Sequence, residues 1–266
     1  MALFWCALRH AIYPKTETNM NNLSRRGALG VLGGAMASTV VPNLARAGMG
    51  PYKFVRIDGL AEQAVGEKLL KEVYKRAEIE ISVTPMPGKR ALQQASSGAM
   101  DGETLRVFAL GENVKSLIRV PTALSSLQTV AFKKSGSDIS LTTKDDLNKY
   151  SNVIVTGVLH THAITEGISD VNEVSDPAAM FKLVAAGRAD LALTSYLDGL
   201  ASIRQLNVEG IEDVKPALND QPLFHYVHES KKDVVPVVDA IIKGMADSGE
   251  LADLRTKLEE EYLDNL

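Results

Sequence analysis

The chain has 266 residues, 29 Lys and Arg against 33 Asp and Glu, a net charge of −4, and a single cysteine, Cys6. One cysteine excludes a disulfide framework and a thiolate metal cluster, so stability has to come from a packed core, which this length can supply. The negative charge argues against nucleic acid or an anionic membrane surface as a partner.

The N-terminal stretch reads as an address. Asn22-Leu23-Ser24-Arg25-Arg26-Gly27 sets two arginines before a weakly apolar run from Gly27 to Val41, and Ala45-Arg46-Ala47 offers small residues to a signal peptidase. Fifteen residues is short for a membrane-spanning helix. Residues 22–47 resemble a twin-arginine export signal, which implies a folded cargo and a periplasmic destination. General secretory export and a retained N-terminal anchor are the competing readings of this segment. Met20 is a more natural start than Met1, because Ala2 to Asn19 shows no pattern. Cleavage after Ala47 removes five basic residues and one acidic residue, leaving 219 residues with a net charge of −8 and no cysteine.

After the signal, β-rich runs alternate with helical patterns. Tyr52 to Ile57 reads as a strand, followed by Asp58-Gly59 and a helix over 61–77 with Val65, Leu69, Val73 and Tyr74 on one face. Glu80 to Thr84 is a strand expected to stop at Pro85-Met86-Pro87-Gly88. A helix over 89–96 and a strand over 100–107 follow. This order calls for parallel pairing with helical crossovers, hence an α/β fold. The rhythm restarts with a short helix at 145–150, a buried strand at 153–159 and a helix at 161–168. Asp176-Pro177 opens another helix as cap and first-turn proline, Asp190 to Thr194 is a short apolar strand, and a helix runs through Leu197, Leu200 and Ile203. Two extended stretches, 119–132 and 214–227, lack helical period and suggest a chain that passes to a second lobe and back. Lys231 to Tyr262 is helical, with a break at Ser248-Gly249-Glu250.

Four segments carry a family likeness: Leu127 to Lys134, Val155 to His162, Phe181 to Thr194 and Gln221 to His228. Their order and spacing resemble the type II, two-lobed periplasmic solute-binding proteins, family 3-like, that serve ABC importers. The resemblance implies two α/β lobes, each a mostly parallel sheet flanked by helices, joined by two extended crossover strands. Lobe 1 would comprise 48–127 and 217–266, and lobe 2 would comprise 128–216. It further implies hinge closure on a small-molecule ligand, delivery to an inner-membrane ABC permease, and no chemistry. A monomer without membrane insertion is expected after cleavage. Amino-acid-binding members present a Gly-Thr pair where this chain has Thr161-His162, an aspartate where it has Ser195, and an arginine near Gly111-Glu112, which supplies none.

The candidate ligand residues are therefore Asp58, Glu103, Arg106, Thr156, Thr161, His162, Ser195 and Tyr196, which the pattern places at strand ends. Arg106 is either the anion anchor of lobe 1 or the partner of Glu103 or Glu112. Thr161 and Ser195 either touch ligand or cap helices, and Asp58-Gly59 is either rim or turn. His160, His162, His225 and His228 raise a metal receptor as a further reading, although nothing nearby completes a site. Phosphate loops, a nucleophile elbow and dinucleotide glycines are absent, so no cofactor or catalytic residue is expected. The residues also leave room for a periplasmic sensor, and for a small-acid dehydratase or isomerase using Glu103, His162 or His225 as base.

Overall fold

The computed structural model describes residues 50–266; the export segment and the Met20 start lie outside them. Lobe 1 begins with β1 (Tyr52–Ile57), α1 (Ala61–Arg76), β2 (Ile81–Met86), α2 (Gly88–Ser96) and β3 (Gly102–Val107). As the pattern requires, β1 pairs in parallel with both β2 and β3. The strand β2 runs on through Pro85, against the sequence expectation. It lies at the sheet edge, where the missing N–H of a proline faces solvent and breaks no ladder bond.

A short helix α3 (Leu110–Asn113) and β4 (Leu117–Arg119) lead into the long β5 (Ser125–Lys134). Lobe 2 then contains a 3-10 turn at Lys144–Lys149, β6 (Asn152–Val155), α4 (Leu159–Thr165), β7 (Val171–Val174), α5 (Pro177–Ala185), β8 (Leu191–Ser195) and α6 (Tyr196–Gln205). The 18-residue β9 (Ile211–His228) returns to lobe 1, where a 3-10 turn at Glu229–Val234, α7 (Val235–Asp247) and α8 (Glu250–Asp264) close the chain.

All nine strands belong to one sheet in the order β2-β1-β3-β9-β5-β8-β6-β7, with β4 also on β9. Parallel pairing is confined to the flanks; the centre is antiparallel, because β5 and β9 are the two crossing strands. Their ladder breaks between Thr129 and Ala131, opposite Lys215–Leu218, where Pro216 cannot donate. Gly102 allows β3 to reach β9: a Cβ there would stand 2.0 Å from the Tyr226 carbonyl oxygen.

Each lobe buries apolar residues on both sheet faces. Phe54, Leu69, Tyr74, Val227 and Ile242 pack under α1, α7 and α8, and Val55, Ala91, Phe224 and Tyr226 pack under α2. In lobe 2, Phe132, Met180 and Phe181 lie on one face and Leu147, Ile154 and Leu193 on the other. Helix α6 serves both lobes. Leu197 and Ala201 enter the lobe 1 core, whereas Leu200 and Ile203 also pack on lobe 2. Gly199 makes this possible, since a Cβ would sit 2.2 Å from the Phe132 ring.

Candidate ligand site between the lobes

Two hydrogen bonds locate the cleft. The Ala61 amide, at the start of α1 in lobe 1, donates to Asp198 Oδ1 of α6 at 2.8 Å. Thr129 Oγ1 on the crossing strand lies 2.9 Å from His160 Nδ1, just past β6. Thus the C-terminal ends of β1 and β3 face those of β6 and β8 across β5 and β9, the position where ligands meet open α/β sheets.

The floor of this cleft is a closed polar network. Ser195 is wholly buried; its hydroxyl donates to Asp198 Oδ2 at 2.9 Å and accepts from the Asp198 amide at 3.2 Å, capping α6. Leu60 cannot cap α1, so Asp198 supplies that cap from the other lobe. Glu62, also buried, is pushed well above the usual carboxylate range, first by desolvation and then by the charge of Asp198. Burial lowers the His160 pKa, with Asp198 opposing.

The other predicted residues scatter. Asp58 and Thr156 are exposed at strand ends on opposite lobes. Thr161 is buried and donates to the Val158 carbonyl, so its hydroxyl belongs to α4. Helix α4 starts at Leu159, ahead of the expected position, and the His162 ring accepts from the Gly157 amide at 3.1 Å. Tyr196 lines a groove of about 460 Å³ with Gln128, Leu251, Arg255 and Glu259, on the α8 side. A second concavity of similar volume lies on the flank of lobe 2, by His162, Glu166 and Glu173. Neither contains Asp58, Thr156 or His160.

Glu103 and Arg106 do meet. Glu103 is 1% exposed and takes both Nε and Nη2 of Arg106, which also donates to the Gly88 carbonyl at 3.3 Å. The ladder between β3 and β9 shifts register between these residues, which turns both side chains toward α2. Desolvation raises the Glu103 pKa while Arg106 opposes it. Of the two roles open to Arg106, the geometry fits the ion pair.

The four histidines occupy separate surroundings. His225 is fully buried: its Nδ1 faces the Glu103 carbonyl at 2.8 Å and must carry the proton, so Nε2 accepts from the Tyr74 hydroxyl at 3.0 Å. Burial lowers its pKa to about 4. His228 accepts from the Ser230 amide and lies 2.8 Å from the Ser230 hydroxyl. Among the described residues, no group of three or more His, Cys, Asp or Glu is arranged to hold a metal ion, and no helix is long and apolar enough to cross a membrane.

The lips of the cleft carry residues that the sequence pattern did not single out. Phe108 follows β3 and is 48% exposed, Leu60 follows β1 at 40%, and Leu159 opens α4 at 82%. Arg119, at the end of β4, lays its guanidinium 3.5 Å from the Phe108 ring centroid and 5.1 Å from that of Phe224. Because β3 and β4 are each antiparallel to β9, Arg119 emerges at the same edge as Phe108. Its Nε is buried without a partner among the described residues, and Nη1 donates to the Phe108 carbonyl at 3.3 Å. The available signal was an aromatic residue directly after a predicted strand.

No protein-family profile matches the chain. An uncharacterized protein of Shewanella oneidensis is 25% identical over 166 residues, 59% of this chain, and the match spans 62% of that relative's length. Among solved structures, the GluR0 ligand-binding core in complex with L-glutamate is 12% identical, with a TM-score of 0.63 over 78% of this chain and 97% of its own. A histidine kinase sensor domain similar to periplasmic binding proteins matches at 14% identity and 0.58, over 78% and 96%. An amino acid ABC transporter substrate-binding protein from Streptococcus pneumoniae, bound to L-arginine, matches at 14% and 0.56, over 79% and 96%. The fold is therefore the two-lobed α/β fold of periplasmic binding proteins.

Proposed function

We propose that this protein is an exported receptor that captures a small, carboxylate-bearing solute between its lobes and delivers it to an inner-membrane ABC permease, as a monomer in the periplasm. The observation that carries this reading is the facing of the two sets of strand ends across β5 and β9, with Phe108, Leu60 and Leu159 left exposed there. Apolar side chains left exposed at the junction of two lobes are what a ligand covers on closure. Arg119 supports the carboxylate: in an acidic chain, it makes no ion pair among the described residues, whereas Arg106 is held by Glu103. A binder fits better than an enzyme, since of the three candidate bases Glu103 and His225 are locked inside lobe 1 and His162 lies on the flank of lobe 2, accepting from the Gly157 amide. The export reading rests on residues 22–47.

A periplasmic sensor is the second reading. Helix α6 already joins the two lobes through Asp198 and Leu197, and the likeness to a histidine kinase sensor domain accords with it. A thermal-shift screen of amino acids, organic acids, polyamines and metal ions tests reception itself, because a ligand that binds the folded state raises the melting temperature. Failure of every class would remove the proposal. Ligand-dependent association with a permease in vesicles would favour transport over sensing.

A further inference from the structure

The lip of lobe 1 presents an aromatic ring with a cation fixed behind it. Phe108 is half exposed, while the Arg119 guanidinium occupies one of its faces at 3.5 Å, with Phe224 edge-on to the Phe108 ring at 5.9 Å between centroids. A cation on one face draws π density toward itself, so the opposite face favours an electron-rich or anionic π system. The same guanidinium carries five donors, of which the described residues engage Nη1, on the Phe108 carbonyl. Stacking holds it in one orientation, which lowers the ordering cost of a fork-like contact to a carboxylate.

From this juxtaposition we infer that the ligand is an aromatic carboxylate whose acid group sits on a flexible arm, its ring stacked on the open face of Phe108 and the arm carrying the acid group around the ring edge to Arg119. The inference rests on the receptor reading above and narrows it. Leu60, after β1, and Leu159, at the start of α4 on the other lobe, are further large apolar side chains left exposed near these strand ends, which favours an apolar ring over a free amino-acid backbone.

The test is calorimetric titration of the full-length protein with 3-phenylpropionate and 4-phenylbutyrate, whose arms are long enough to pass the edge of Phe108. Hexanoate, glutamate and arginine are run in parallel, and all five compounds join the thermal-shift screen. The aromatic acids are expected to bind. Phe108→Ala should weaken them about tenfold or more, Phe108→Trp should retain them, and Arg119→Gln should weaken them further and flatten the salt dependence. Circular dichroism melts of each variant separate lost binding from lost folding. If hexanoate, glutamate or arginine binds as tightly as the aromatic acids, or if Phe108→Ala leaves affinity unchanged in a folded protein, the aromatic assignment is overturned and the receptor stands. If neither aromatic acid binds, it is likewise overturned; if no compound of any class raises the melting temperature, the receptor reading falls with it.

Discussion

Arg106 and Arg119 emerge at the same edge of lobe 1, yet they belong to different kinds of structure. Arg106 meets a carboxylate that is 1% exposed and lies three residues earlier on the same strand. The pair satisfies itself, and Glu103 is buried because Arg106 is there. Arg119 rests on two rings brought in from the end of β3 and from β9, and its charge is left available. A cation at a cleft is thus not a binding group by position alone; what matters is whether the protein has already answered its charge.

The largest effect should come from breaking the closed pair. Arg106→Ala strands a buried carboxylate and should cost about 3–5 kcal/mol in denaturant unfolding, close to the whole stability of a small domain. A loss under about 1 kcal/mol would mean that water reaches Glu103 and that the contrast between the two arginines is false.

Next is His225, which anchors β9 beneath the same pair. Its pKa falls from 6.5 in the unfolded chain to about 4 in the fold, so the unfolded state takes up the proton first as pH drops. Its contribution is fully present above pH 6.5 and is lost as pH falls toward about 4, by about 3 kcal/mol. His225→Gln should flatten that limb of the stability profile; an unchanged limb would move its origin elsewhere.

A smaller effect is expected at the cleft floor. Asp198→Ala removes the cap that α6 lends to α1 and should cost about 1 kcal/mol. Glu62 works in the opposite sense to His225: its folded pKa is raised, so stability is lost as pH rises above 4.5. Glu62→Gln should therefore gain on the wild type as pH rises from 5 to 8, whereas a constant difference would argue against the carboxyl pair. The smallest change in stability belongs to Arg119→Gln, about 1 kcal/mol, since a cation–π contact on a half-exposed ring contributes little.

The same contrast explains what could be read in advance. Glu103 and Arg106 lie on one strand, so their pairing was visible as one of two options, and α1, the Asp176-Pro177 start of α5 and the two crossing strands follow from local pattern. Strand β7 was missed because Val-Asn-Glu-Val at a sheet edge is too short and polar to stand out, and α3 because four residues show no period. The Asp198 bond joins residues 137 apart and left no local sign. Phe108 and Arg119 meet only once β9 has drawn β3 and β4 to its two sides.

Closure of the lobes on a solute would shorten the distance across the cleft. Spin labels on cysteines placed at the exposed positions Lys89 and Glu166, one on each lobe, with Cys6 replaced by serine, give that distance by pulsed electron resonance. With a compound that raises the melting temperature, the distance should be shorter and narrower than in the free protein; an unchanged distribution with that compound bound would rule closure out.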